Sequence, residues 1–281
     1  MLDAILKYTF LQNAILSALL ASIVCGVIGT IIVEKRLVMM SGGISHASFG
    51  GVGFGYLVGI EPMIGALIAA VLSALGLAYV KHHVKSNTDT LAGIIWPLGM
   101  SLGILFVSIT PGYPPALDSY LFGDILTVSK TDLWMTAILN LLILATIIPF
   151  FQTLKANLFD REFAKLNGIR SEIADYVLYI LIALSVVVLI RVVGIILVIA
   201  LLTIPASIVR MFTFQFNRMM FYSAICGMVM CLGGLTLSYL LNVPSGAVIV
   251  LLGTSMYLSA AVAKRAGEKI KRNIVTKKQC K

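Results

Sequence analysis

The chain has 281 residues, of which 59% are hydrophobic and only 12% charged, and it carries a formal net charge of +9. Its mean hydropathy of +1.02 exceeds what a water-soluble domain of this length needs to fill one core, so the composition excludes an ordinary soluble protein and describes an integral membrane protein. The excess positive charge is spread over many short connections, which makes nucleic acid a poor partner.

In chain order, about nine uninterrupted apolar runs lie near 10–33, 37–60, 63–80, 91–109, 134–151, 176–190, 192–212, 220–241 and 244–262. At about 1.5 Å per residue each covers most or all of a hydrocarbon core of about 30 Å. The expected fold is an all-α, polytopic bundle occupying 1–263, followed by a basic tail at 264–281. The run at 176–190 is short and nearly continuous with the next, so eight spans is the alternative. The first run is too long for a signal peptide and no small-residue cleavage site follows it, so it counts as a span.

Lys and Arg concentrate in cytoplasmic loops. With nine spans and the N-terminus outside, only Lys7, Lys130 and Arg191 lie outside, and the other 18 of the 21 basic residues lie in the cytoplasm with the C-terminus. Merging two spans near Arg191 would reverse the C-terminal half and place most of this charge outside. The basic tail also suits anionic membrane lipid. Cys25, Cys226 and Cys231 fall in spans and Cys280 in the tail, forming neither a disulfide framework nor a CxxC motif.

His46 lies ten residues after Arg36 in the second run, about 15 Å along a helix. An ionisable residue at that depth almost always faces a bundle interior or a water-filled path. Gly43, Ala47, Gly51 and Gly55 recur every fourth residue beside it and form a small-residue ridge that admits a neighbouring helix. Two readings stand: a neutral imidazole bonded to a neighbouring helix, or a transient ligand for a transition metal. Ser45, Met39 and Met40 are close by in sequence. His82 and His83 have basic neighbours that would repel a cation.

The polar stretch at 110–132 contains Asp118, Asp124 and Asp132, and it is either a plain external loop or a mouth whose carboxylates attract cations. Asp124 is the candidate there. Around 152–175, Asp160 can cap a helix that starts at Arg161, Glu162 favours its N-terminal dipole, and Gly168 ends it. Phe159, Phe163 and Leu166 give this helix an apolar edge, suited to a membrane surface or to a groove on a cytoplasmic partner. Farther on, Pro205 sits inside an apolar run, and Pro244 and Gly246 open another, all at candidate kinks.

The ordered set ISHA, FGDIL, FDREFAKLNGI, TIPAS and NVPSGAVIVLLG resembles the membrane-spanning permeases of ABC-type manganese, zinc and iron importers over about residues 10–263. The resemblance implies a homodimer in the prokaryotic cell membrane, a cytoplasmic ATPase beneath each copy, and an extracytoplasmic metal-binding protein above. It implies a transported metal ion as substrate, ATP on the partner, and no permanently bound cofactor. It assigns His46 to the pathway and Phe159, Asp160, Glu162, Phe163, Ala164 and Gly168 to the ATPase contact, a coupling helix at about 158–169. The resembling sequences commonly have an aspartate four residues before the histidine, where this chain has Gly42. The carboxylate and imidazole pair is therefore incomplete, and a metal chelate or another small solute stays open as cargo.

No GxxxxGK[ST] loop occurs, so ATP hydrolysis belongs to a partner and the chain is not itself an enzyme. An ion-coupled secondary transporter also needs a polar residue at the bilayer midplane but has less use for a docking helix. An intramembrane metalloprotease lacks HExxH, and Ser45 and His46 point apart on a helix, a poor serine dyad.

Overall fold

A segment that enters hydrocarbon must satisfy its backbone N–H and C=O groups internally, and a helix does this within one segment. The computed structural model describes residues 8–84, 88–111, 118–123, 125–195 and 197–279. Eleven helices occur among the described residues: α1 (Thr9–Lys35), α2 (Val38–Val58), α3 (Pro62–His83), α4 (Thr88–Ile109), α5 (Asp118–Phe122), α6 (Lys130–Phe159), α7 (Arg161–Leu166), α8 (Ser171–Val193), α9 (Val198–Arg210), α10 (Phe216–Leu241) and α11 (Ser245–Gln279). A single 3-10 turn (Ile125–Thr127) precedes α6.

Each of the expected apolar runs falls on a helix, but seven are long and apolar enough to cross a membrane: α1, α3, α4, α6, α8, α10 and α11. The other two fall short for different reasons. α2 has 21 residues, but its six glycines, three serines and His46 dilute its apolar character. α9 has only 13 residues. The chain breaks between α8 and α9, where Gly194 adopts φ +77°, so the run pair near Arg191 is two helices. α11 continues through the basic stretch to Gln279 without a break.

Local chemistry sets the helix ends. Pro62 occupies the first turn of α3, where its missing N–H costs nothing. Ser129 and Asp132 form a capping box at the start of α6, with Ser129 Oγ accepting from Asp132 N at 3.1 Å and Asp132 Oδ2 accepting from Ser129 N at 3.1 Å. α1 ends at Arg36 in the left-handed region (φ 56°), which turns the chain directly into α2. Within α1, Cys25–Gly29 forms a π-helical bulge, and Gly26 and Gly29 there lie against the backbones of α10 and α9 at Ala224 and Leu202.

α8 and α1 are the most enclosed of the long helices, whereas α4 and α11 turn most of their surface outward. The core runs through Leu178, Ile182, Val186 and Leu189 of α8 to Ile28 and Ile32 of α1 and Ile44 of α2. α2 is sandwiched between α3 and α4, with α8 and α9 completing its surroundings.

Candidate functional site

The glycines of α2 divide between two neighbours. Gly43 approaches Ala92 of α4, whose carbonyl oxygen would be 3.1 Å from an added Cβ, and Gly99 of α4 packs on the backbone at His46 and Ala47. One and two turns on, Gly51 meets the Gly65 carbonyl and Gly55 meets Pro62, both in α3. The ridge thus grips α4 with its first half and α3 with its second, backbone against backbone.

That grip buries His46, which is 3% exposed. Its ring stacks on Trp96 of α4, with centroids 4.1 Å apart and planes 15° from parallel. Among the described residues neither Nδ1 nor Nε2 has a hydrogen-bond partner, and the Oγ of buried Ser45 has none either. A buried polar group without a partner costs about 1–3 kcal/mol, so the structure holds an imidazole in place with both nitrogens unengaged. No carboxylate completes the set: among the described residues there is no group of three or more His, Cys, Asp or Glu able to hold a metal ion. The space a side chain at position 42 would take is filled, since an added Cβ on Gly42 would lie 2.8 Å from Ile199 Cδ1 of α9 and 3.2 Å from Trp96 Cζ3. Met40 is buried and Met39 is 43% exposed.

At one end of the bundle, Asp160 caps α7 by accepting from Phe163 N at 2.9 Å, and Gly168 turns the chain at φ +76°. Ala164 faces inward, fully buried, and Glu162 is exposed. Phe159, Phe163 and Leu166 are outward and exposed, Leu166 by 87%. An apolar edge facing outward at the end of a bundle is what a docking surface presents.

Beneath α7 lies Asp175 of α8, only 1% exposed. Its Oδ1 is 2.6 Å from Lys35 Nζ of α1 and accepts from Asn157 Nδ2 of α6 at 3.2 Å. Its Oδ2 is 3.3 Å from Lys81 Nζ and 3.4 Å from His82 Nε2 of α3, and 3.7 Å from Arg161 Nη2 of α7. Arg161 Nη2 also lies 3.4 Å from His82 Nδ1.

Toward the opposite end, Gly123 (φ +67°) packs against Gly194, where neither position has room for a side chain. Ile195 N donates to Tyr120 O at 2.9 Å, and the hydroxyls of Tyr120 and Tyr56 are 3.2 Å apart. Gly246, early in α11, lies against the carbonyls of Phe122 and Val193, and Ser245 Oγ accepts from Ile125 N at 3.1 Å. Asp124 lies outside the described residues. Pro244 precedes α11, and Pro205 is buried within α9.

The expected residues therefore fall into three places: His46 and Ser45 inside the bundle, the α7 set at one end, and Gly246 and Pro244 toward the other. Sequence reasoning missed Trp96, Ile199 and Asp175. Trp96 and Ile199 gave no signal, being apolar residues in apolar runs. Asp175 did: a carboxylate at the edge of such a run needs a partner.

Comparison with known proteins agrees with this architecture. The model of the ABC 3 transport family matches residues 7–264. An uncharacterized membrane protein of Synechocystis, slr2045, is 40% identical over 260 residues, covering 92% of each chain. The manganese transport system membrane protein MntC of Halalkalibacterium halodurans is 35% identical over 258 residues, covering 92% of this chain and 88% of that one. Among solved structures, PsaBC from Streptococcus pneumoniae in complex with Fab superposes with a TM-score of 0.83 at 32% identity, covering 92% of this chain and 93% of that one. A multi-pass membrane protein with seven helices long and apolar enough to cross among its described residues, this chain belongs to the ABC 3 transport family.

Proposed function

We propose that this chain is the permease subunit of an ABC importer that brings divalent manganese into the cell, powered by a separate cytoplasmic ATPase. The observation that carries the reading is His46: a buried imidazole with two unengaged nitrogens, on a helix clasped by glycine contacts. Such a group is costly to keep unless it meets a passing ligand. The likeness to the Halalkalibacterium manganese transport system membrane protein supports manganese as that ligand.

In this reading the permease is a homodimer of nine-span subunits, α2 and the short α9 included, with the N-terminus outside. The end bearing α7 faces the cytoplasm, an orientation supported by the basic residues gathered there: Lys35, Lys81, Arg161, and Arg210, which pairs with Glu34 at 3.0 Å. The ATPase docks on Phe159, Asp160, Glu162, Phe163, Ala164 and Gly168, and an extracytoplasmic metal-binding protein delivers cargo from the other side, past Asp124. ATP binding displaces α7, and the bundle passes from outward-open to inward-open around His46. No chemical bond of the cargo changes; the protein supplies a ligand, a closed path and a change of access.

The test is the manganese content of cells lacking this chain, with and without the wild-type gene restored. Restoration of manganese alone supports the reading; an unchanged manganese content contradicts it. A second reading, a metal chelate as cargo, is favoured by the apolar filling of the Gly42 position by Ile199 and Trp96, which suits a ligand that brings its own donors. Uptake of free against chelated manganese separates the two.

A further inference from the structure

The buried carboxylate of Asp175 joins four other elements at one point. Oδ1 holds the last residue of α1 and the end of α6; Oδ2 holds the end of α3 and the first residue of α7. Two of these spokes lead straight to the histidine helix. Lys35 is the last residue before the left-handed turn at Arg36, and Leu37 N, on the far side of that turn, bonds back to Ile32 O at 2.9 Å, so α1 and α2 move together at this corner. Lys81 lies in the last turn of α3, whose Gly65 backbone touches Gly51 of α2. Packed backbones do not slide freely. A displacement of α7 therefore reaches α2 by two routes through one carboxylate, while the outward edge of α7 stays free for a partner.

We infer that Asp175 is the transmission residue of this permease: it passes displacement of α7 through Lys35 and Lys81 to the ends of α1 and α3, and so to the helix carrying His46. It is a positioning residue and touches neither cargo nor ATPase. The inference rests on the proposed docking of an ATPase at α7 and names the internal half of that coupling. Its signature is uncoupling: with the hub cut, the ATPase still binds and turns over, but α2 no longer follows.

The test is manganese(II) uptake per ATP hydrolysed by the reconstituted permease–ATPase complex, for wild type, Asp175→Asn, Asp175→Glu and Lys35→Met. Lys35→Met removes the ammonium while keeping an unbranched side chain only one atom shorter, lies away from α7, and carries the test if Asp175→Asn does not fold. The expected result is full recovery of the ATPase with each variant that folds. Uptake per ATP falls at least about fivefold for Asp175→Asn and Lys35→Met, the lower end of ordinary coupling between sites, and Asp175→Glu recovers most of it. A merely structural residue would lower the amount of complex and leave the ratio unchanged. The inference is overturned if uptake per ATP in Lys35→Met, or in an Asp175→Asn complex that folds, equals wild type. It is overturned equally if the variants release the ATPase, since the hub would then shape the docking surface. If wild-type complex shows no ATP-dependent manganese uptake, the functional reading itself fails and the inference falls with it.

Discussion

The ring of His46 lies flat against the ring of Trp96, centroids 4.1 Å apart and planes 15° from parallel. The contact fixes the imidazole plane from the α4 side and makes Trp96 a reporter of whatever His46 binds. The chain has two tryptophans, and the other, Trp134, is 71% exposed. In a Trp134→Phe background, manganese(II) is expected to change the tryptophan emission, and His46→Ala should abolish the change. Emission that still responds in the absence of His46 would separate metal binding from this ring.

The closed space at Gly42 leads to a second expectation. Gly42→Asp alone has to displace Ile199, whose Cδ1 would be 2.8 Å from the new Cβ, and it should fold less well. Combined with Ile199→Ala, the carboxylate has room one helical turn from the imidazole, on the same face. The double variant is expected to bind manganese(II) about tenfold more tightly than wild type, a gain of about 1.4 kcal/mol, measurable by calorimetry. Unchanged affinity would mean that the cargo does not contact this face.

Gly51 and Gly76 make a matched pair. Gly51 touches the Gly65 carbonyl, whereas nothing lies within 4 Å of an added Cβ at Gly76. Gly51→Leu forces two helix backbones apart, and overpacking of this kind costs about 1–3 kcal/mol. Gly76→Ala removes only the entropic penalty of glycine in a helix and should stabilise by about 0.5–1 kcal/mol. Thermal unfolding in detergent should move in opposite directions for the two.

The outward edge of α7 can be tested without touching the bundle. Leu166 is 87% exposed, so Leu166→Asp should leave bundle stability within about 0.5 kcal/mol of wild type while reducing co-purification of the ATPase. Glu162→Lys places a cation at the positive end of α7, which costs about 0.3–1 kcal/mol locally, and should lower coupled transport. Full ATPase recovery with Leu166→Asp would move the docking surface elsewhere.

Much of the scaffold was legible because membrane helices declare themselves by length and apolarity, and α7 because Asp160, Glu162 and Gly168 are cap, dipole and terminator residues at helix spacing. The number of crossings was less legible. α2 is buried on so many sides that it does not need apolar residues against lipid, and its glycines serve close packing, so length and hydropathy diverge there. The close helix contact at His46 was legible in its small-residue ridge, but the side chains around the ring were not. Trp96 and Ile199 reach it from α4 and α9, and only the tertiary structure brings those helices to one place. Asp175 borders the apolar run expected at 176–190, whereas it is the fifth residue of α8, and that makes a carboxylate at the edge of a run into a buried hub.

Whether His46 meets the cargo is decided by manganese uptake in cells expressing wild type or His46→Ala at equal levels. Cells with His46→Ala are expected to accumulate no more manganese than cells lacking the chain, while the permease is recovered from the membrane in undiminished amount. Wild-type uptake by the variant would contradict it.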